Sequence, residues 1–137
     1  MTPPIYLDIF IAPVRDNPVA QAGIAIVLVL IALDILFGLG NALAKHCYSS
    51  DKMRQGIAHK AAEIGMMMLG AVADASIMGG FDMGFSAPVL VAVCVYLALM
   101  EFGSLLETFA EMNPELAHSP LFRLLESAQH IIEKEEE

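Results

Sequence analysis

Basic residues are scarce in this sequence, which has seven Lys and Arg against sixteen Asp and Glu. Binding to nucleic acid requires clustered cations along the phosphate backbone, so nucleic acid is not an expected partner. Cysteine is scarce too. Cys47 lies in a polar loop and Cys94 in an apolar run, an arrangement that does not suit a structural disulfide.

The residue patterns of catalysis and of ligand binding are also missing. No nucleophile is accompanied by a base and an orienting partner, and no glycine-rich loop suits a phosphate. His46, Cys47 and His59 lack the spacing of zinc ligands. The nine methionines are more simply explained as apolar filler than as a path for a soft metal. We therefore expect no enzyme activity, no metal and no cofactor.

Long apolar runs are abundant, at residues 19–44, 57–77 and 85–109. Each reaches the roughly 20 residues needed to cross a bilayer core of about 30 Å. The chain is 57% hydrophobic, against about 45–50% in soluble domains, which argues against a soluble helical bundle. The runs predict an all-α membrane protein with three transmembrane helices within residues 19–109. The length leaves no room for a second folded domain.

A short leader, residues 1–18, precedes the first run. Its apolar stretch Ile5–Val14 is too short to span a bilayer and contains Asp8 and Pro13, which predicts a segment lying at the interface. The first basic residue, Arg15, follows that stretch, so we expect no cleavable signal peptide and an uncleaved first span.

Charge sets the expected topology. Four of the seven basic residues, Lys45, Lys52, Arg54 and Lys60, surround the first connection, whereas the connection 78–84 has none. Short loops rich in Lys and Arg stay in the cytoplasm. The pattern predicts a membrane protein with its N-terminus outside and its C-terminus in the cytoplasm.

Carboxylates interrupt the apolar runs at Asp34, Glu63, Asp74, Glu101 and Glu107. A charge near the bilayer centre costs at least about 2.5 kcal/mol on insertion scales, so such side chains usually face other helices or water. The eleven residues from Asp34 to Lys45 correspond to a depth of about 16 Å. Asp34 either joins two helices by hydrogen bonding or lines a water-filled path. For Asp74 and Glu107 we expect a solvated interface.

Small residues and one long side chain define further candidates for helix packing. Gly38 and Ala42 lie one turn apart on the first span, and Gly56 precedes a second run of small residues. Small residues let helices approach closely in lipid, which favours a seam between the first two spans. Lys60 can extend to the inner surface and is within reach of Glu63.

The tail, residues 110–137, is acidic and contains a predicted amphipathic helix that begins at Ser119–Pro120. Because anionic lipid repels an acidic helix, its apolar stripe is expected to pack on another copy or on the inner ends of the spans. The alternative is a frayed tail. The stripe consists of Leu121, Leu124, Leu125, Ala128, Ile131 and Ile132.

The stretch DILFGLGNALAKHCYSSDKMRQGIAHK, residues 34–60, resembles the phage-lysis and toxin-secretion holin family. The family pattern has an aspartate, a glycine four residues later, an alanine four later, a serine-bearing basic loop and a closing Gly-x-x-x-Lys. These features fall on Asp34, Gly38, Ala42, Ser49 with Ser50, Gly56 and Lys60.

Two features depart from the family pattern. Phe37 stands where threonine is common, and only the run 5–14 precedes the aspartate-bearing span, where family members commonly have another hydrophobic segment. Insertion of that run would place the N-terminus in the cytoplasm instead.

The resemblance implies a protein that oligomerises in the bacterial inner membrane and permeabilises it to release a cell-wall hydrolase or a toxin. The lipid bilayer and further copies of the chain are then its partners. The pore or helix-packing candidates are Asp34, Gly38, Ala42, Gly56, Lys60, Glu63 and Glu101. A non-lytic oligomeric scaffold, an export accessory or a small ion channel is the alternative.

Single cysteines at Ser50 and Gly80, in a background lacking Cys47 and Cys94, test the topology. We expect a membrane-impermeant thiol reagent applied outside the cell to label Gly80→Cys and to spare Ser50→Cys, because the basic loop stays inside. Labelling of both after permeabilisation is the control for reactivity. Preferential labelling of Ser50→Cys in intact cells would overturn the topology.

Overall fold

The computed structural model describes residues 5–81 and 88–135, and within these ranges all regular structure is helical. Helix α3 continues into a π-helical turn, Ser76–Gly80. The helices are α1 (Ile5–Arg15), α2 (Pro18–Ala44), α3 (Ser50–Ala75), α4 (Val89–Met112), α5 (Pro114–Ala117) and α6 (Pro120–Glu135).

Three helices are long and apolar enough to cross a membrane: α2, the continuous stretch Ser50–Gly79, and α4. The prediction of an all-α protein with three transmembrane helices and a helical tail is therefore confirmed. Helix α3 begins at Ser50, seven residues before the apolar run, because helix formation extends through the polar residues of the basic loop. Helix α4 ends at Met112, and residues 85–87 of the expected third span lie outside the described residues.

Polar caps begin and separate the helices. The Asn17 side chain accepts hydrogen bonds from the amides of Val19 and Ala20, both at 3.1 Å, and Pro18 occupies the first helical position, where no amide bond is lost. Asn113 caps α5 in the same way. His46 adopts a left-handed φ of 51° and reverses the chain after α2.

Helix α4 lies between α2 and α3 and packs against both, while α2 and α3 make only marginal backbone contact within the described part of the chain. Close approach occurs at two glycines. A Cβ on Gly23 would lie 3.0 Å from Cys94 Cβ, and one on Gly70 would lie 3.0 Å from Leu90 Cα. The buried apolar core is Ala20, Val27 and Ile31 of α2, Met67 of α3, and Leu90, Cys94 and Leu97 of α4.

The leader forms helix α1, which packs against α3 and reaches its π-helical end, where Ile9 lies against Gly79. Arg15 pairs with Asp8 and Asp16 at the end of α1. Hydrogen bonding to Arg15 holds the pKa of Asp16 below its ordinary value. The eleven residues of α1 rise about 16 Å, well short of the bilayer core.

Helix α6 folds back along α4. Phe122 is buried and shares one cavity with Leu106 and Ala110, and the same cavity reaches His130 and Gly103. The other edge of α6 is open, with Leu121, Leu124 and Ile131 exposed by more than three fifths. Phe122, which the predicted stripe omitted, makes the inward contact; the Ile132 side chain lies outside the described set.

Enlarging Gly70 tests the contact between α3 and α4. Leucine at this position meets the backbone of Leu90, so we expect Gly70→Leu to lower the free energy of unfolding in detergent by about 1–3 kcal/mol or more. Gly65→Leu is the matched control on the same helix, because a Cβ there meets nothing within 4 Å. Equal thermal unfolding midpoints for the two variants, followed by circular dichroism, would contradict the close contact.

Candidate functional site

The Lys60 ammonium lies at the centre of an ionic cluster that joins the three transmembrane helices. Its Nζ is 3.0 Å from Oδ2 of Asp34 on α2, and 2.5 Å from both carboxylate oxygens of Glu101 on α4. Oε1 of Glu63, one turn along α3, is 3.7 Å away. Glu63 and Glu101 are almost fully buried, and the side chains of Asp34 and Lys60 are mostly buried. One lysine thus connects α2, α3 and α4.

Ser104 provides a hydrogen-bond partner for the second carboxylate oxygen of Asp34. The Ser104 hydroxyl donates a 2.7 Å hydrogen bond to Oδ1 of Asp34, so α4 holds both Asp34, through Ser104, and Lys60, through Glu101. Sequence reasoning missed Ser104. Its position three residues after Glu101, on the same helix face, was the available signal.

Glu63 is the least satisfied member of the cluster. Both of its carboxylate oxygens are buried, and neither has a hydrogen-bond partner among the described residues. His59 Nε2 lies 3.1 Å from Oε1 and forms an ion pair only when the imidazole is protonated. Because His59 is largely exposed, Glu63 sits between the buried cluster and the surface of α3.

Charge within the cluster is unbalanced, since three carboxyl groups surround one ammonium group. Removing one partner of a buried ion pair typically costs about 3–5 kcal/mol, because the remaining charge is left without compensation. In lipid the same argument holds more strongly, since a lone charge near the bilayer centre is expensive. Lys60 therefore supplies the compensating charge for Asp34 and Glu101 in this site.

A second polar contact joins α2 to α4 at the end where α2 finishes. Oε2 of Glu111 accepts hydrogen bonds from Lys45 Nζ and Asn41 Nδ2, both at 3.0 Å. Between this contact and the cluster, the rings of Phe37 and Phe109 pack edge to face at 4.9 Å. These contacts fix the lengthwise register of α2 against α4.

Asp74 departs from expectation. We expected a solvated interface, but its carboxylate is buried and accepts hydrogen bonds from the amides of Val89 at 2.8 Å and Leu90 at 3.1 Å. These are the free amides of the first turn of α4, so Asp74 caps that helix from α3. The two partners lie up to sixteen residues apart in the chain, and spacing along one helix could not reveal the contact. Glu107 is exposed.

An open groove of about 280 Å³ lies between α2 and α3 and begins at the cluster. Asp34 and Lys60 line the end of the groove at the ionic cluster, and Gly38, Ala42 and Gly56 also face the groove. A Cβ added to Gly38 or Gly56 would meet nothing within 4 Å. The small residues therefore leave the groove empty in one copy, where a seam between the first two spans was expected. The other lining residues are Ile35, Leu39, Cys47, Tyr48, Ser49, Lys52, Met53 and Ile57.

The structure thus brings the predicted candidates into one region. Glu63 and Glu101 lie in the ionic cluster with Asp34 and Lys60, and the remaining three line the adjoining groove. Of the predicted tail residues, Leu121 and Leu125 lie apart from it, beside α4. Among the residues that the structure describes, no group of three His, Cys, Asp or Glu side chains could hold a metal ion.

Comparison with known protein families identifies a relationship that extends over most of the chain. The sequence model of the bacteriophage holin family matches residues 20–122, from the start of α2 to the start of α6. No curated protein and no solved structure matches the chain. The matched region contains the ionic cluster and the groove.

Replacing Lys60 by methionine tests its role at the centre of the cluster. We expect Lys60→Met to lower the free energy of unfolding of the detergent-solubilised protein by about 3–5 kcal/mol, because buried carboxylates lose their counter-ion. Arg54→Met, at an exposed arginine on the same helix that does not line the groove, should change it by less than about 0.5 kcal/mol. Equal effects of the two substitutions on unfolding by sodium dodecyl sulfate would show that Lys60 is not the organising charge.

Proposed function

Because the chain belongs to the bacteriophage holin family, we propose that this multi-pass membrane protein oligomerises in the bacterial inner membrane and permeabilises it. Permeabilisation releases a cell-wall hydrolase or a toxin from the cytoplasm. The observation that carries the proposal is the ionic cluster of Asp34, Lys60, Glu63 and Glu101, buried among three apolar helices. Holins are a family of non-enzymatic membrane proteins, and the proposed role is likewise non-catalytic.

The cluster supports this role because a simple membrane anchor does not need it. Four ionisable groups within three spans are expensive in lipid, and helix packing alone can be achieved with small and apolar residues. Asp34 and Lys60 also line the end of the open groove at the ionic cluster. In an assembly of several copies, these polar groups would become available to line water.

Several copies are needed on geometric grounds. In one copy α4 packs against both α2 and α3, and the remaining space between α2 and α3 is the open groove. Three helices are too few to surround a path wide enough for a folded hydrolase, so we propose that such a path forms between copies. Exposed aliphatic side chains cover α2, including Val29, Leu36 and Leu43, and are suited to lipid or to neighbouring copies.

For orientation, we propose that the loop between α2 and α3 faces the cytoplasm, with the N-terminus outside. Lys45, Lys52 and Arg54 are exposed there, as the positive-inside rule requires. The Lys45–Glu111 ion pair joins the ends of α2 and α4 on the same side. The acidic tail and α6 are then cytoplasmic as well.

Inducible expression in bacteria, with membrane potential and escape of a co-expressed cytosolic hydrolase followed together, tests the proposal. We expect the membrane potential to collapse and the hydrolase to escape from the cytoplasm. Loss of potential alone would indicate a small ion channel, and loss of neither would indicate a scaffold; either result would overturn the proposal.

We expect Asp34→Asn to insert and assemble but to change the timing of permeabilisation, because the amide side chain keeps hydrogen bonding and removes a charge.

Asp34→Leu is the companion variant. It removes the bond to Ser104 and the pair with Lys60 together, so we expect weaker helix association as well as altered permeabilisation. Membrane fractionation controls for insertion. Parental timing in both variants would leave Asp34 without a part in the function.

A further inference from the structure

Two apolar surfaces of the chain have no covering partner within the described residues. One is the groove between α2 and α3, which extends from Asp34 and Lys60 to Lys52. The other is the outer edge of α6, which we call the tail stripe and define as Leu124, Ala128 and Ile131, all exposed. Both expose apolar side chains that can pack against another protein surface.

The two surfaces lie at the same level along the spans. The Ser104–Asp34 and Asn41–Glu111 hydrogen bonds set residues 104–111 of α4 beside residues 34–41 of α2. The groove covers this part of α2, from Asp34 to Ala42. Helix α6 runs beside Gly103 to Ala110 of α4. Two neighbouring copies inserted to the same depth therefore present groove and tail stripe at equal height.

The two surfaces also lie on opposite flanks of the seam between α2 and α4. Leu33 borders the cavity that α6 shares with α4, whereas Ile35 borders the groove. Two residues along a helix correspond to a rotation of about 200°. The α6 of one chain therefore stays on its own flank, and an α6 in the groove would have to come from another copy.

Charge complementarity favours the same pairing. Residues 45–54, the connection around the open end of the groove, contain three basic residues and one acidic residue. Residues 115–137 contain six glutamates, one arginine and one lysine. Lys52 lines the groove and is exposed. An acidic helix is repelled by anionic lipid and attracted by this basic rim.

We propose that the tail stripe of one copy docks in the groove of the next copy. This proposal rests on the proposed function, since it presupposes self-association in the membrane. Because the two surfaces differ, the contact is head-to-tail and repeats from copy to copy. Equal height lets the repeat proceed by rotation about the membrane normal, which closes a ring or extends an arc within the bilayer.

Cysteine cross-linking in isolated membranes tests the pairing. In a background of Cys47→Ser and Cys94→Ala, Leu39→Cys marks the groove and Leu124→Cys marks the tail stripe. A chain carrying both should cross-link into a ladder beyond dimers under a short bismaleimide. Separate chains carrying one cysteine each should cross-link only when co-expressed, and only to a dimer. Gly40→Cys with Leu124→Cys is the matched control, because Gly40 is the next residue and lies outside the groove.

Filling the groove tests the same contact by blocking it while the cross-linking positions stay unchanged. Gly38→Leu and Gly56→Leu add side chains where one copy has free space, so folding should persist while the ladder falls by about tenfold or more. Gly40→Leu, also placed in free space, should leave the ladder unchanged. Replacing Leu124 and Ile131 of the tail stripe with polar residues should shift the solubilised protein towards smaller species without preventing insertion.

Two results would overturn the head-to-tail contact: homodimers from either single-cysteine chain with no ladder from the double, or an undiminished ladder after the groove is filled. Both readouts are independent of permeabilisation. A ladder without hydrolase release would keep the contact and reject the lytic function. Hydrolase release without the ladder would keep the function and reject the contact.

Discussion

The ion pair between Lys60 and its carboxylates is the constraint on which the arrangement of the helices depends. Lipid supplies no hydrophobic force between helices, so polar contacts and close packing must determine which helix faces which. Lys60 contacts Asp34 on α2 and Glu101 on α4, and both helices lie within reach of one side chain. Ser104 and Asp74 then fix the position and the start of α4 through their own hydrogen bonds. The apolar core among the spans follows this polar framework.

The helices could be predicted because their signals are local. Apolar length predicts the three spans, and Ser119 with Pro120 predicts the start of α6. Asp34 and Glu101 could also be recognised as candidates, because a carboxylate inside an apolar run is costly unless it meets a polar partner or water. The carboxylate of Asp34 joins two helices and also borders an open groove, so the two roles considered for it are compatible in one structure.

The order of the helices in space could not be predicted, because helices of similar hydrophobicity can pack in more than one order. The small residues on both helices favoured a seam between α2 and α3, but α4 occupies the central position, where Gly23 and Gly70 permit its close approach. The inward role of Phe122 was hidden for a similar reason. An apolar stripe on a helix shows that a surface must be covered, but not which part of it is covered within the chain.

The cap that Asp74 places on α4 has a consequence for how the protein enters the membrane. The first amides of α4 find their acceptor on α3, the helix that precedes it in the chain. Until that carboxylate is in place, those amides must stay in water, because an unsatisfied amide in hydrocarbon costs several kcal/mol. The cap therefore couples α3 and α4 as a hairpin at this end of the spans. At the far end of α4 the polar partner is α2 instead, where Glu111 accepts hydrogen bonds from Lys45 and Asn41.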